Sequence, residues 1–227
     1  MNELILFLSL LFEFSLILLS YKFFGKSGLY VMTVICAILA NIEVVMLIKA
    51  FGIEQTLGNT LFAASFLITD ILSENEGKKA ADKAVHLGIF ATVVFLIISS
   101  SWLFFTPAEA DTAYGAFKTI FSQTPRVMLA SLLVYAVSQK LDVWLYHAWW
   151  GFTTKKCGDK KKFAWVRNNG STLISQFINT CLFNFGAFLG TYQFRTVLSI
   201  TLSSYIIFAV AALLDTPFLY LSRRIKK

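Results

Sequence analysis

Residues 85–105 read VHLGIFATVVFLIISSSWLFF, an apolar run in which His86 is the sole titratable side chain. About 20 apolar residues are needed to cross the hydrocarbon core of a bilayer, so this stretch is predicted to be a transmembrane helix. Its flanks differ in charge. Lys78, Lys79 and Lys83 precede it, whereas Glu109 and Asp111 follow it. Cytoplasmic loops carry the excess of Lys and Arg. The chain therefore enters this helix from the cytoplasm and leaves it outside.

Working outward, hydropathy predicts further spans at 4–24, 28–51, 57–73, 123–147, 172–191 and 196–221. The span at 57–73 is the shortest, and a re-entrant or broken segment is the alternative there. The fold class expected is all-α, a polytopic bundle of about seven helices forming one domain over residues 1–227. Charge provides an independent check. Lys22, Lys26, Lys78, Lys79, Lys83, Lys155, Lys156, Lys160, Lys161, Lys162, Arg167, Arg223, Arg224, Lys226 and Lys227 fall in alternate loops and the tail, and make up most of the 20 basic residues. Seven spans, with the N-terminus outside and the C-terminus cytoplasmic, satisfy that alternation. Six or eight would scramble it.

Composition agrees. Of 227 residues, 57% are hydrophobic and 15% charged, against roughly 25% charged in soluble domains. Mean hydropathy is +0.68. A net charge of +7 could suggest nucleic acid, but the basic residues sit in loops between apolar runs, so no nucleic-acid partner is expected and the lipid bilayer is. Glu3 precedes the first apolar run and Lys22 follows it, the reverse of a secretory signal. Cys36, Cys157 and Cys181 have no metal-ligand spacing and cannot form a closed disulfide framework. The tryptophans fall near span ends as interfacial anchors, with Trp144, beside a polar face, as the expected exception.

Several enzyme classes lack their residues. There is no Walker A sequence, no H-E-x-x-H and no G-x-S-x-G. His86 and His147 stand alone, and Ser99-Ser100-Ser101 has no evident base. No catalytic activity, cofactor or metal is expected.

Polar residues inside spans are costly, and each is a functional candidate. These are Glu13, Glu43, Asp70, Asp142 and Asp215. Asp70 and Glu74 lie four apart, on one helix face, where two carboxylates could exchange a proton or hold a cation; a charged helix end balanced by Lys78 and Lys79 is the alternative. Ser131, Tyr135, Ser138 or Gln139, Asp142 and Tyr146 make one polar stripe on the fifth span. Ser171, Thr172, Ser175, Gln176, Asn179 and Phe183 make another on the sixth. Ser138-Gln139-x-x-Asp142-x-x-Leu145-Tyr146 parallels Ser175-Gln176-x-x-Asn179-x-x-Leu182-Phe183. On antiparallel helices this is the pattern of inverted transporter repeats. Such stripes must face protein or a water-filled cavity. Aromatic rings can stack on a flat heterocycle, and Asn, Gln and Asp can pair with its edge.

Three segments together resemble the queuosine-precursor transporter family of small integral membrane proteins. The first is Phe66-Leu67-Ile68-Thr69-Asp70-Ile71-Leu72-Ser73-Glu74 followed by Gly77-Lys78-Lys79-Ala80. The second runs from Arg126-Val127-Met128-Leu129-Ala130-Ser131-Leu132 to Ser138-Gln139-x-x-Asp142. The third is Trp165-Val166-Arg167, then Ser171-Thr172-x-x-Ser175-Gln176-x-x-Asn179-Thr180-x-x-Phe183. The resemblance covers roughly residues 40–190 and implies import of a purine-like small molecule, a 7-deazaguanine precursor of queuosine. Two departures stand out. The family usually has Asp where this chain has Asn179, and the span at 4–24 is additional to a six-helix family core.

The expected mechanism is alternating access around a midplane cavity among spans two, three, five and six. Asp142, Gln139, Gln176 and Asn179 are expected to hydrogen-bond the base, with Ser175 and Glu43 in the same set and Tyr135 or Phe183 on the ring. Asp70 and Glu74 are expected to gate or couple, and Arg126 and Arg167 to fix helix ends. The alternatives are a substrate-binding subunit energised by a partner ATPase, and an intramembrane enzyme or sensor. The exact deazapurine, the coupling ion and assembly as a homo-oligomer stay open at the level of sequence.

Overall fold

The computed structural model describes residues 1–122, 125–159, 162–188, 190 and 193–225, and within these the side chains of all but 53, 54, 125–129, 157, 187 and 188. The protein is a bundle of α1 (Asn2–Glu43), α2 (Asn59–Asn75), α3 (Lys78–Trp102), α4 (Tyr114–Phe121), α5 (Pro125–Cys157), α6 (Ala164–Phe188) and α7 (Phe194–Ile225). The strands β1 (Leu47–Ala50) and β2 (Ile53–Thr56) form one antiparallel hairpin, with Leu47 opposite Thr56. The all-α membrane fold expected from the sequence is the one observed. Helices α1, α3 and α7 are each long and apolar enough to cross a membrane.

Helix α1 takes in the first predicted span and the start of the second. It breaks at Gly25, where φ is 59° and ψ is −146°. That backbone region is essentially closed to residues with a Cβ, so glycine permits the reversal between the limbs. Beyond the turn, Gly28 packs directly on the Ser20 backbone carbonyl, leaving no room for a side chain. Gly25→Ala is expected to lower stability by about 1–3 kcal/mol through backbone strain alone, since no heavy atom lies within 4 Å of the added Cβ. A thermal melt in detergent checks it: an unchanged midpoint contradicts the assignment of the kink to Gly25.

The predicted second span, 28–51, is corrected. Its helix stops at Glu43, and Leu47–Ala50 is already the first hairpin strand. Val44-Val45-Met46-Leu47-Ile48 continues the apolar run, and hydropathy alone cannot separate a strand from the last turns of a helix. The reversal is made by Phe51 and Gly52, both at positive φ.

Helix α2 is the axis of the bundle. It is continuous, so the broken alternative does not apply, and it touches α1, α3, α5, α6 and α7. Every residue from Ala63 to Ser73 is buried. At 17 residues it extends about 25 Å, slightly less than the hydrocarbon thickness of about 30 Å. Its small residues Ala63, Ala64 and Ser65 let neighbouring helices approach closely. Lipid-facing side chains lie on the periphery, among them Phe12, Phe90, Ile97, Leu202 and Ile206, all exposed.

The two ends of the bundle are distinct. At one, Asn2 donates to the Lys49 carbonyl at 2.8 Å and the Phe51 amide donates to Glu3 at 3.0 Å, fastening the chain start to the hairpin. At the other, Tyr21 donates to Glu76 at 3.0 Å and Asn75 donates to Ser222 at 2.8 Å. The first and last transits therefore begin and finish at opposite ends, as an odd number of crossings requires.

Candidate functional site

Polar side chains on α2 recur one turn apart, and each turn meets a different set of partners. This organises the interior into three levels. The uppermost, at the hairpin end, is a cavity of about 280 Å³, close to the roughly 300–1,000 Å³ of small-molecule sites. Tyr135 of α5, Phe62 of α2 and Phe208 of α7 form an aromatic wall, with ring centroids 6.1 Å apart for Phe62–Tyr135 and 5.9 Å for Phe62–Phe208. Carboxamides of Asn41, Gln55, Asn59, Asn179 and Asn184 also line the space.

Of the residues expected to bind a ligand, Tyr135, Asn179 and Phe183 line this cavity. The expected location needs correction. The cavity lies at the hairpin end rather than on the Asp142–Gln176 level, and the hairpin, Thr92 of α3 and Ser204 and Phe208 of α7 join its walls. Gln139, Gln176, Ser175 and Asp142 do not line it. Gln139 and Gln176 are buried one hydrogen bond beneath it, and Ser175 and Asp142 are buried deeper, bonded to each other. Glu43 ends α1, beside the lining residues Ala40 and Val44, with its Oε2 buried and unpartnered.

Sequence reasoning passed over Gln55, Asn59 and Asn184. Gln55 sits on a strand inside what read as a loop, yet its side chain is buried and its Nε2 has no hydrogen-bond partner. An unpartnered amide in a cavity wall was signalled by nothing in the local pattern. Tyr135 is placed by contact with α3: a Cβ at Gly88 would collide with its hydroxyl.

The middle level joins α5 to α6. Ser138 donates to Asn179 Oδ1 at 3.4 Å, and Ser175 donates to Asp142 Oδ1 at 2.9 Å. The first residue of each repeated pattern thus bonds the third patterned residue of the other. Antiparallel packing of two matching segments produces this reciprocity, and it accounts for the shared spacing. Asn179 Nδ2 also donates to Gln176 Oε1 at 3.3 Å. Gln139 Nε2 donates to Ser65 at 2.6 Å, while Thr69 donates to Gln139 Oε1 at 3.3 Å. Since Ser65 and Asn179 line the cavity, this network is its floor. Just below, Asp70 accepts from Thr172 at 3.2 Å, one turn along α6 from the Ser175 that bonds Asp142. Asp215 of α7 accepts from Asn168 at 2.6 Å.

The lowest level is ionic. Arg167 Nη2 donates to both oxygens of Glu74, at 2.8 and 3.0 Å, and its Nε donates to Glu74 Oε2 at 3.2 Å. Arg223 and Tyr146 also donate to Glu74. The side chain of Arg167 is fully buried and that of Glu74 is 5% exposed. The guanidinium lies 4.4 Å from the Trp150 ring centroid, and His147 stacks on the same indole. Asp70 and Glu74 share a helix face but have separate partners: the Thr172 hydroxyl for one, two arginines and Tyr146 for the other. Trp150, rather than Trp144, is the tryptophan drawn into a polar contact; Trp144 is 57% exposed. Arg126 falls on α5, and its side chain lies outside the described residues. Among the described residues, no group of His, Cys, Asp and Glu is arranged to hold a metal ion.

Comparison with known proteins follows the same lines. A family described as "Putative vitamin uptake transporter" matches residues 56–222, a range that includes the middle level, Glu74 and Arg167 of the ionic level, and most of the cavity lining but not Asn41 or Gln55. The chain is 37% identical over 212 residues to the "Probable queuosine precursor transporter" of Bacillus subtilis (strain 168), covering 93% of this chain and 90% of that protein. No solved structure matches. The resemblance carried by the three sequence segments is thereby established, and the chain belongs to the putative vitamin uptake transporter family of membrane proteins.

Proposed function

We propose that this protein imports a queuosine precursor, 7-cyano- or 7-aminomethyl-7-deazaguanine or a related 7-deazapurine, by alternating access. The observation that carries the reading is the cavity, in which an aromatic wall faces carboxamides. A deazaguanine has a flat face for Tyr135, Phe62 or Phe183, and an edge of alternating donors and acceptors for Asn179, Asn184 and Gln55. Asn and Gln supply both polarities, which suits a base better than an ion or a lipid. The name of the Bacillus subtilis relative supports the same substrate class.

The hairpin end faces outward in this reading, and the Glu74 end faces the cytoplasm, because Lys155, Lys156, Lys162, Arg223 and Arg224 cluster at the latter. The structure then corresponds to the outward-facing state. The floor network and the ionic level close the cytoplasmic path, and binding shifts the population toward the inward-facing state. Gln139 and Gln176 act from beneath by setting the orientation of Ser65 and Asn179.

Uptake rescue is the test. Cells lacking both synthesis and import of the precursor should regain queuosine in tRNA when they express this chain and are fed the base. Absence of rescue by a membrane-inserted, folded protein contradicts the reading. Gln55→Leu is expected to reduce uptake about tenfold at limiting substrate, the effect of one lost hydrogen bond to a buried polar group, with expression unchanged. Rescue with unaltered substrate dependence removes Gln55 from the site.

A further inference from the structure

The acid pair beneath the cavity has a chemistry that the substrate reading leaves unused. Asp70 on α2 and Asp142 on α5 are both fully buried, and they accept from Thr172 and Ser175, residues one turn apart on α6, so that their carboxyls are neighbours. Each keeps one oxygen on a hydroxyl: Asp70 Oδ2 accepts from Thr172, and Asp142 Oδ1 accepts from Ser175. The other oxygen of each, Asp70 Oδ1 and Asp142 Oδ2, is buried with no partner. Two neighbouring carboxylates, each with a bare buried oxygen, cannot both be ionised at bilayer depth without a positive charge beside them.

Among the described residues, no basic side chain bonds either carboxyl. Arg167, the nearest buried cation along α6, is held by Glu74 and by the Lys162 carbonyl. The titratable and charged groups around the pair are Asp215 from α7, Tyr146 from α5, Arg167 from α6 and Glu74 one turn along α2. Asp215 adds a further acid. Tyr146 and Arg167 both donate to Glu74. The missing charge comes from outside the protein.

We propose that Asp70 and Asp142 hold a single proton between Oδ1 and Oδ2, and that this proton is carried inward with the substrate. A proton fits better than a metal cation, because the described residues include no cluster of three acidic, His or Cys ligands. The proton is taken from external water when the cavity faces outward, and is released to cytoplasmic water once the ionic level opens. Coupling has a physical route. Ser175 ties Asp142 to α6 one residue before Gln176, and Gln176 holds Asn179 in the cavity wall. Asp142 also lies one turn from Gln139 in the cavity floor. A substrate that draws on Asn179 moves the segment that positions the Asp142 carboxyl, and the bound proton in turn favours the arrangement in which the two carboxyls can close.

This inference rests on the deazapurine reading for its substrate, so the experiment separates the two. Purified protein in liposomes is first tested for binding of 7-cyano-7-deazaguanine, then for its accumulation under an inward proton gradient. With one proton per neutral base, a gradient of about one pH unit sustains about a tenfold accumulation, and a pH-sensitive dye inside reports acidification that depends on the base. In Asp70→Asn and Asp142→Asn, accumulation is expected to fall to the external concentration while exchange of bound base across the membrane continues. Infrared difference spectra of the substrate-free protein should show a protonated carboxyl band that both substitutions remove. Base that binds and accumulates with no response to the proton gradient, or under a sodium gradient alone, overturns the proposal. A missing carboxyl band also overturns it. Failure to bind the base overturns the substrate reading, and the infrared band still decides the proton.

Discussion

Glu74→Ala is expected to destabilise the protein by about 3–5 kcal/mol, the largest effect of any single substitution in the polar column. Glu74 accepts from Arg167, Arg223 and Tyr146, and the Arg167 side chain is fully buried. Removing the acid leaves a guanidinium in the interior without its counter-charge, and one orphaned member of a buried ion pair costs far more than the intact pair contributes. The physics dictates a second result. Glu74→Ala combined with Arg167→Leu should be more stable than Glu74→Ala alone, because no buried charge is then unpaired. Arg167→Lys should fall between wild type and Glu74→Ala, since an ammonium cannot reproduce the forked contact or lie flat on Trp150. Thermal midpoints of the purified variants in one detergent check all three. Equal midpoints for Glu74→Ala and wild type would mean that the ionic level contributes nothing to holding this end closed.

The second large effect belongs to transport. Tyr135→Ala is expected to reduce uptake at limiting substrate by roughly tenfold to a hundredfold, from base–aromatic stacking of about 1–3 kcal/mol. The ring lines the cavity against Phe62, and its hydroxyl rests on Gly88 of α3. Tyr135→Phe keeps the face and should retain most of the uptake. Gly88→Val leaves the ring in place chemically but pushes it off its seat, and should resemble Tyr135→Ala. Initial rates in cells with matched membrane levels of each variant give the measurement. Wild-type rates in Tyr135→Ala would remove the aromatic wall from substrate recognition.

Some of this was readable without coordinates, and the reasons are particular. The run at 85–105 has no competing reading, and α3 covers most of it while starting about two turns earlier, at Lys78. Alternation of Lys and Arg between loops is a count, so it survives errors in every boundary. Tyr135, Asn179 and Phe183 announced themselves because a polar or aromatic stripe on an apolar helix has few uses. The helix–strand change at Val44–Leu47 did not, since both states want the same apolar residues. The short helix α4 was hidden inside a connecting loop. Helix α5 continues to Cys157 and α6 begins at Ala164, so both outrun the predicted spans by about two to three turns; hydropathy reports where lipid ends, while the helix continues on its own hydrogen bonds.

The partners of Glu74 were beyond sequence reach for a different reason. Its i, i+4 relation to Asp70 suggested a carboxylate pair, but the charges that meet it lie 93 and 149 residues away, at Arg167 and Arg223. Asp70 in turn is met by Thr172, 102 residues away on another helix. Helical spacing shows which residues share a face, and packing alone decides what that face meets.

The central claim is that a 7-deazaguanine occupies the cavity between Tyr135 and Phe183, reached from outside. Ser131 lines that cavity from α5. With Cys36, Cys157 and Cys181 replaced by serine, Ser131→Cys offers one thiol in its wall. An impermeant thiol reagent added to whole cells should label it, and 7-cyano-7-deazaguanine at concentrations that saturate uptake should slow the labelling, while uracil should not. Labelling that proceeds at the same rate with and without the saturating base would contradict the account.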